Sequence, residues 1–278
     1  MMVAHSDSQS PRLTASTLGK LSTFIRAESG IEFDASKRAM VEARLLKRMR
    51  VLELDSFEAY CAILASPQHR EERAIATDLL TTHTTNFFRE KHHFDFLTSN
   101  IIRPFCSLWS KRRRELRVWS AGCSTGEEPY TISMVLRQHM GENPYQVLAT
   151  DVAQPTLERA RQARYAAADA QGIPPLYRTA YRLKGNEREL DHEITRAVLF
   201  RPHNLMSTTY PSSPRHHVIF IRNVLIYFSY DNQKDILTKL LRCLVPRGFL
   251  FIGHSESATG LGLPLELVGP TVYRKVEA

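Results

Sequence analysis

Residues 121–129 read AGCSTGEEP and directly follow the apolar run LRVWS. A small-residue loop that leaves a strand and opens a helix commonly cradles a nucleotide, whose phosphates settle on the helix N-terminus. Here Glu127 and Glu128 stand where phosphates would lie, which disfavours a pyrophosphate. The next apolar run, QVLATD, ends at Asp151, roughly 25–30 residues beyond the loop, where an acid normally accepts hydrogen bonds from a ribose diol. A nucleoside carrying positive charge satisfies both constraints, and S-adenosylmethionine is the common one. Its ammonium needs a carboxylate, its sulfonium tolerates one nearby, and Arg89 in NFFRE supplies a cation for its methionyl carboxylate. Taken singly, the loop also suits an ordinary strand-to-helix turn, and Asp151 an N-cap for a helix starting near Pro155.

Other chemistries fit less well. The stretch GHSES (253–257) resembles a hydrolase nucleophile elbow but lacks its closing glycine and runs into ATGLGLP instead of a helix, so Ser255 is not expected to be a nucleophile. NPY (143–145), a signature of amino-methylating nucleic-acid enzymes, precedes the second strand instead of following the fourth. His92–His93 and His216–His217 are adjacent pairs that do not converge on a metal, and the four cysteines lack paired spacing. No metal site and no disulfide framework are expected.

These residues need elements to hold them. The first part of the chain is helical by periodicity. Leu18, Leu21, Phe24 and Ile25 form one apolar face that Gly30 ends; Val41, Leu45, Met49 and Leu52 form another. SFEAYCAILAS and QHREERAIATDLLTT predict two further helices, completing a small all-α domain over residues 1–80. Residues 81–115 read as a threonine-rich linker and a helix, KHHFDFLTSNIIRPF. From 116 to 278 strands alternate with helices: LRVWS, QVLATD, AVLFRPHN, HVIFIRN and FLFIGHS, with helices near 127–140, 154–163 and 231–244. That alternation predicts an α/β fold with a mostly parallel sheet. The tail LPLELVGPTVYRKV predicts a closing antiparallel pair, and residues 168–198 a small inserted hairpin turning at KGN.

Composition narrows the class. A chain of 278 residues with 43% hydrophobic and 24% charged residues is that of a globular protein with a substantial core. No apolar run approaches the roughly 18 residues of a membrane helix, and the start lacks a signal-peptide core; the unpaired cysteines make a reducing cytoplasm the expected location. The net charge of +8 is local. Residues 1–90 hold 12 basic and 12 acidic side chains, yet SKRAMVEARLLKRMR (36–50) holds six basic residues and one acid. With KRRR (111–114), this suggests a docking surface more than general affinity for nucleic acid.

In order, TTNFFRE, VWSAGCSTGEEPY, ATD, HNL and IFIRNVLIYF resemble the CheR-type chemotaxis methyltransferases over nearly the whole chain. The resemblance implies a Rossmann-like methyltransferase domain with an inserted antiparallel β-subdomain, preceded by a helical domain. It also implies S-adenosylmethionine-dependent methylation of glutamate side chains on chemoreceptors. Cofactor contacts carried over are His83 (where the family has asparagine), Thr85, Arg89, Glu128 or its neighbour Glu127, Asp151, Asn204, Leu205, Arg222 and Asn223. Phe87 and Phe88 read as core packing.

Methyl transfer to a carboxylate is an in-line displacement on an ionised nucleophile, so it needs positioning and water exclusion instead of a general base. Arg89 and Tyr227 are the expected catalytic residues, Tyr227 by hydrogen-bonding the acceptor. Receptor docking is expected at Lys37, Arg38, Arg44, Lys47 and Arg48, and the partner is the cytoplasmic domain of chemoreceptors. The protein is expected to be monomeric, without nucleic acid and without membrane insertion. Some family members grip a receptor C-terminal peptide on the β-subdomain; the short RLKGNERELDHEI, with Gly185 its only glycine, points to an enzyme that works without that tether. The competing readings are a nucleic-acid methyltransferase and a non-catalytic S-adenosylmethionine-binding module.

Overall fold

The structure, a computed structural model, describes residues 11–109 and 114–276. It divides into two compact units, residues 1–82 and 83–278. Three of the four basic residues of 111–114 lie outside the described residues.

In the first unit, α1 (Ala15–Ser29) starts where the Thr14 hydroxyl accepts the Thr17 N–H at 3.1 Å. It ends at Gly30, whose φ of +77° gives the left-handed cap that favours glycine. Helices α2 (Arg38–Val51), α3 (Phe57–Ala65) and α4 (Arg70–Leu80) follow. The predicted faces close one core: Leu18, Leu21 and Ile25 meet Val41, Leu45 and Met49, with Phe57, Tyr60, Leu64, Ala76 and Leu80.

Two of the arginines expected to dock a partner make hydrogen bonds inside this unit. Arg44 Nη1 donates to the carbonyl oxygens of Leu79, Leu80 and Thr81 at 2.8–3.3 Å, satisfying the orphan carbonyls at the end of α4. Arg48 lies along Glu72, with Nε 3.1 Å from both carboxylate oxygens and Nη2 2.5 Å from Oε2; the Tyr60 hydroxyl donates to Oε1 at 2.7 Å. Burial pushes the Glu72 carboxyl up, but hydrogen bonds from Arg48 and Tyr60 outweigh it and hold it below the usual range. Lys37, Arg38 and Lys47 remain exposed.

The second unit opens with a helical stretch running from α5 (His92–Phe96) through a π-helical Leu97–Ile102 into α6 (Arg103–Trp109). A seven-stranded sheet follows: β1 (Leu116–Ala121), β2 (Tyr145–Asp151), β6 (Val198–Pro202), β7 (His216–Ile221), β8 (Leu244–Ile252), β9 (Leu265–Gly269) and β10 (Val272–Lys275). The order is β6-β2-β1-β7-β8-β10-β9, parallel up to β8 and antiparallel through the last pair. Helices α7 (Glu127–His139), α8 (Gln154–Gln162) and α10 (Tyr230–Cys243) follow β1, β2 and β7. β1 is almost wholly buried, as a strand covered on both faces should be.

The insertion is a three-stranded antiparallel sheet, β3 (Arg164–Ala166), β4 (Tyr181–Lys184) and β5 (Glu187–Leu190), in the order β3-β5-β4. It begins at Arg164, ahead of the expected 168, because β3 pairs with β5 immediately after Ala163 turns α8 to a left-handed φ of +53°. The hairpin turn is Gly185–Asn186, and residues expected to extend the hairpin fold instead as α9 (His192–Thr195), capped by Asp191. Phe87 and Phe88 are core residues that pack on Tyr165 and Tyr177 of the insertion, with ring centroids 4.8 Å apart in each pair.

Candidate active site

Five parallel strands run in one direction, so the segments after β1, β2, β6, β7 and β8 emerge on one edge of the sheet, where open α/β sheets bind ligands. Every expected residue from Glu128 to Tyr227 lies in these segments, in the first turn of the helix that follows one or, for Asp151, at the last position of its strand.

After β1 the chain turns tightly. The amides of Gly122 and Cys123 both donate to the Thr150 carbonyl, at 2.8 and 2.9 Å, and Gly126 (φ +97°) leads into α7. Ser124 ties three elements together. Its N–H donates to Asp151 Oδ2 at 2.8 Å and its hydroxyl to the His83 carbonyl at 3.0 Å. Asp151 Oδ1 accepts the Ala153 N–H at 3.0 Å, so the acid is oriented at the mouth of the loop; the N-cap position of α8 itself is Ala153. His83 Nε2 lies 3.4 Å from the Thr156 hydroxyl, and Thr85 is half-buried on the same segment.

The two adjacent acids have different surroundings. Glu128 is enclosed: Ser120 Oγ donates to Oε1 at 2.7 Å and Arg222 Nη1 to Oε2 at 3.0 Å. Burial raises its carboxyl above the usual range while Arg222 opposes it. Glu127 accepts from the Thr125 hydroxyl at 2.6 Å and is also raised by burial. Both sit in the first turn of α7, where negative charge suits the helix dipole.

Arg222, with a side chain only 2% exposed, spans two carboxylates: Glu128 at 3.0 Å and Glu90 at 3.3 Å. It also donates to the Arg89 carbonyl, so the expected cofactor residues Arg222 and Glu128 satisfy one another. Glu90 is a residue the sequence reading missed. Its Oε1 accepts from the N–H and Nδ1 of His254 and from Asn223 Nδ2, at 3.1–3.4 Å. Burial pushes its carboxyl up, but Arg222, then His254, hold it down at about 2. The signal was only its adjacency to Arg89. Glu90, His92 and His93 cluster closely enough to suggest a cation site, yet the Arg222 guanidinium already occupies the Glu90 carboxylate.

Arg89 is half-buried and donates to the Thr84 carbonyl at 2.9 Å. Asn204 turns the chain after β6 by accepting the Met206 N–H at 2.8 Å, and Leu205 is buried beside it. Asn223 has a left-handed φ of +58° and opens the turn that ends in the 3-10 segment Leu225–Tyr227. Tyr227 is half-buried, and its hydroxyl has no hydrogen-bond partner among the described residues.

The donor set fits a cationic nucleoside. Glu90 and Glu128 share the single cation of Arg222, leaving an excess of negative charge on this edge, and the first turn of α7 is filled by acids instead of presenting amides to phosphate. Asp151 is held where a ribose diol would be bound.

Comparison with known proteins gives the same reading. A family model described as CheR methyltransferase, SAM binding domain, matches residues 83–273, and one described as CheR methyltransferase, all-alpha domain, matches residues 16–81. The chemotaxis protein methyltransferase of Escherichia coli is 37% identical over 261 residues, covering 91% of this chain and 88% of that protein. That of Borreliella burgdorferi is 32% identical over 270 residues and 95% of each chain. Chemotaxis protein methyltransferase 2 of Pseudomonas aeruginosa is 34% identical over 252 residues and 88% of each.

Proposed function

The chain belongs to the CheR methyltransferase family, and from that premise we propose that it methylates glutamate carboxylates on the cytoplasmic domain of chemoreceptors. It is an S-adenosylmethionine-dependent enzyme of chemotactic adaptation. When bound, the cofactor supplies an electrophilic methyl group on its sulfonium. The observation that carries the assignment is Asp151, oriented by the Ser124 and Ala153 amides on the strand edge that also bears Tyr227.

In this reading Asp151 accepts the ribose hydroxyls. His83, Thr85 and Arg89 line the methionyl side, and Asn204 with Leu205 bounds the cofactor from the end of β6. Glu128, Arg222 and Asn223 shape the wall between donor and acceptor. Tyr227 donates its hydroxyl to the incoming carboxylate, which is ionised at neutral pH and needs no base. The enzyme acts as a cytoplasmic monomer; no helix among the described residues is long and apolar enough to cross a membrane. Docking uses the exposed Lys37, Arg38 and Lys47 of the basic segment. The tight two-residue turn at Gly185–Asn186 supports an enzyme that needs no C-terminal peptide tether.

Incubation with labelled S-adenosylmethionine and bacterial membranes tests the reaction: base-labile label on a receptor-sized band is expected, and label on nucleic acid would overturn it. Tyr227→Phe should lower turnover while sparing cofactor affinity. Asp151→Ala should weaken cofactor binding by about 1.5–3 kcal/mol. Calorimetric titration with a receptor C-terminal pentapeptide should give no heat; micromolar binding would refute tether independence.

A further inference from the structure

The GHSES stretch has no nucleophile role, yet it contains a carboxylate in an unusual position. Glu256 is 8% exposed and accepts four backbone N–H groups. Its Oε2 takes Asn223 N at 2.9 Å and Gly253 N at 2.5 Å; its Oε1 takes Val224 N at 2.8 Å and Ile226 N at 3.3 Å. Three of the four donors belong to the turn that ends in Tyr227. The 3-10 segment pairs its own later amides, Tyr227 N–H to the Val224 carbonyl and Phe228 N–H to the Leu225 carbonyl, and the Glu256 carboxylate takes the N–H groups of Asn223, Val224 and Ile226.

Two glycines show how closely the turn is held. A Cβ on Gly253 would lie 2.6–2.7 Å from Asn223 N, Asn223 Nδ2 and Glu256 Oε2, so only glycine lets the β8 segment approach. A Cβ on Gly122, in the loop after β1, would lie 2.5 Å from Val224 Cγ2. Val224 therefore rests on the loop assigned to the methyl donor while its own N–H is held by Glu256. Further along, the Tyr230 hydroxyl donates to the Gly260 carbonyl at 3.2 Å, fastening the far side of the turn to the same segment.

We propose that Glu256 is a positioning residue for methyl transfer, setting the turn 223–227 at a fixed height above the β1 loop. The proposal rests on the reading that this turn faces the acceptor carboxylate. In-line transfer depends on the gap between nucleophile and methyl group, and a displacement of about 1 Å costs roughly 100-fold in rate. The requirement is for a carboxylate: an amide keeps one oxygen for one pair of donors and turns an NH2 group against the other pair.

Glu256→Gln should lower kcat by about 10- to 100-fold, measured well below the melting temperature. The dissociation constant for S-adenosylmethionine and the KM for receptor should stay within about threefold, because Asp151 and the docking helix are untouched. Val224→Ala keeps the carboxylate and all four amides but removes the rest on Gly122; it should lower kcat by a smaller factor with the same unchanged affinity. This variant decides the matter if Glu256→Gln does not fold. A kcat within twofold of wild type in the folded variants, or cofactor affinity falling in step with kcat, would reduce Glu256 to a purely structural group. If Tyr227→Phe is silent while Glu256→Gln still lowers kcat alone, the role given to Tyr227 fails and the positioning role of Glu256 stands.

Discussion

Arg48 in the helical unit and Arg222 in the sheet unit are both arginines set against largely enclosed carboxylates, and they end in different electrostatic states. Arg48 is a quarter exposed and meets one acid, Glu72, whose remaining acceptor capacity is met by Tyr60. Charge is balanced there, and the arrangement ties α2 to α4 and α3. Arg222 is closed off from water and meets two acids, Glu90 and Glu128. One negative charge is left over at the strand edge where a sulfonium cofactor is assigned. The same pair of residue types thus holds a helical unit together in one place and sets the charge of a binding edge in the other.

Removing each arginine separates the two roles. Arg222→Met leaves two enclosed carboxylates without a counterion and should destabilise the second unit by about 3–5 kcal/mol, read by urea unfolding, with methyl transfer lost. Arg48→Met strands one carboxylate instead of two, and that one keeps its Tyr60 hydrogen bond, so about 2–3 kcal/mol is expected. S-adenosylmethionine affinity should not change in that variant. An affinity loss would mean that the helical unit shapes the cofactor site.

Acid should act mainly on the sheet unit. Burial, with nearby arginines, depresses the imidazoles of His93 to about 3 and of His216 and His217 to about 4. An unfolded histidine takes its proton near pH 6.5, so the unfolded state binds more protons as pH falls from about 6.5 towards 4, and stability falls with it. Glu90, held at about 2, adds stability that is present above the ordinary carboxylate range and is lost as pH drops through 2. The raised carboxyls of Glu127 and Glu128 work in the opposite direction. Thermal melts across this range should show the second unit weakening first.

The smallest structural effect belongs to the exposed cations. Lys37→Glu with Lys47→Glu should alter stability by no more than about 0.5 kcal/mol. Receptor methylation at low salt should nevertheless slow by about tenfold, and the difference should shrink as screening rises. Equal rates at low salt would remove the basic face from docking. Reversing Arg44 or Arg48 would not answer this, because both carry bonds within the helical unit.

Much of this molecule is legible without coordinates because it depends on neighbours in sequence. Helical faces such as Val41, Leu45 and Met49 follow from a period of 3.6 residues, and the five parallel strands from apolar runs bounded by turns. The glycine loop, Asp151 and the ordered motifs identify the methyltransferase domain, since each ligand segment follows its own strand. Tertiary structure decided what distant charges do. Arg44 and Arg48 share a basic face in the sequence, but the end of α4 and Glu72 claim them. Arg222 carries no sign in the sequence of its ion pair with Glu90, 132 positions earlier. Glu256 lies in a motif with no legible function, and only the return of β8 alongside β7 brings its carboxylate under the turn that bears Tyr227. Periodicity and turn chemistry are local and survive in a string of letters; the partner of a buried charge is chosen by the fold, because burial without a partner costs more than most other local preferences can offset.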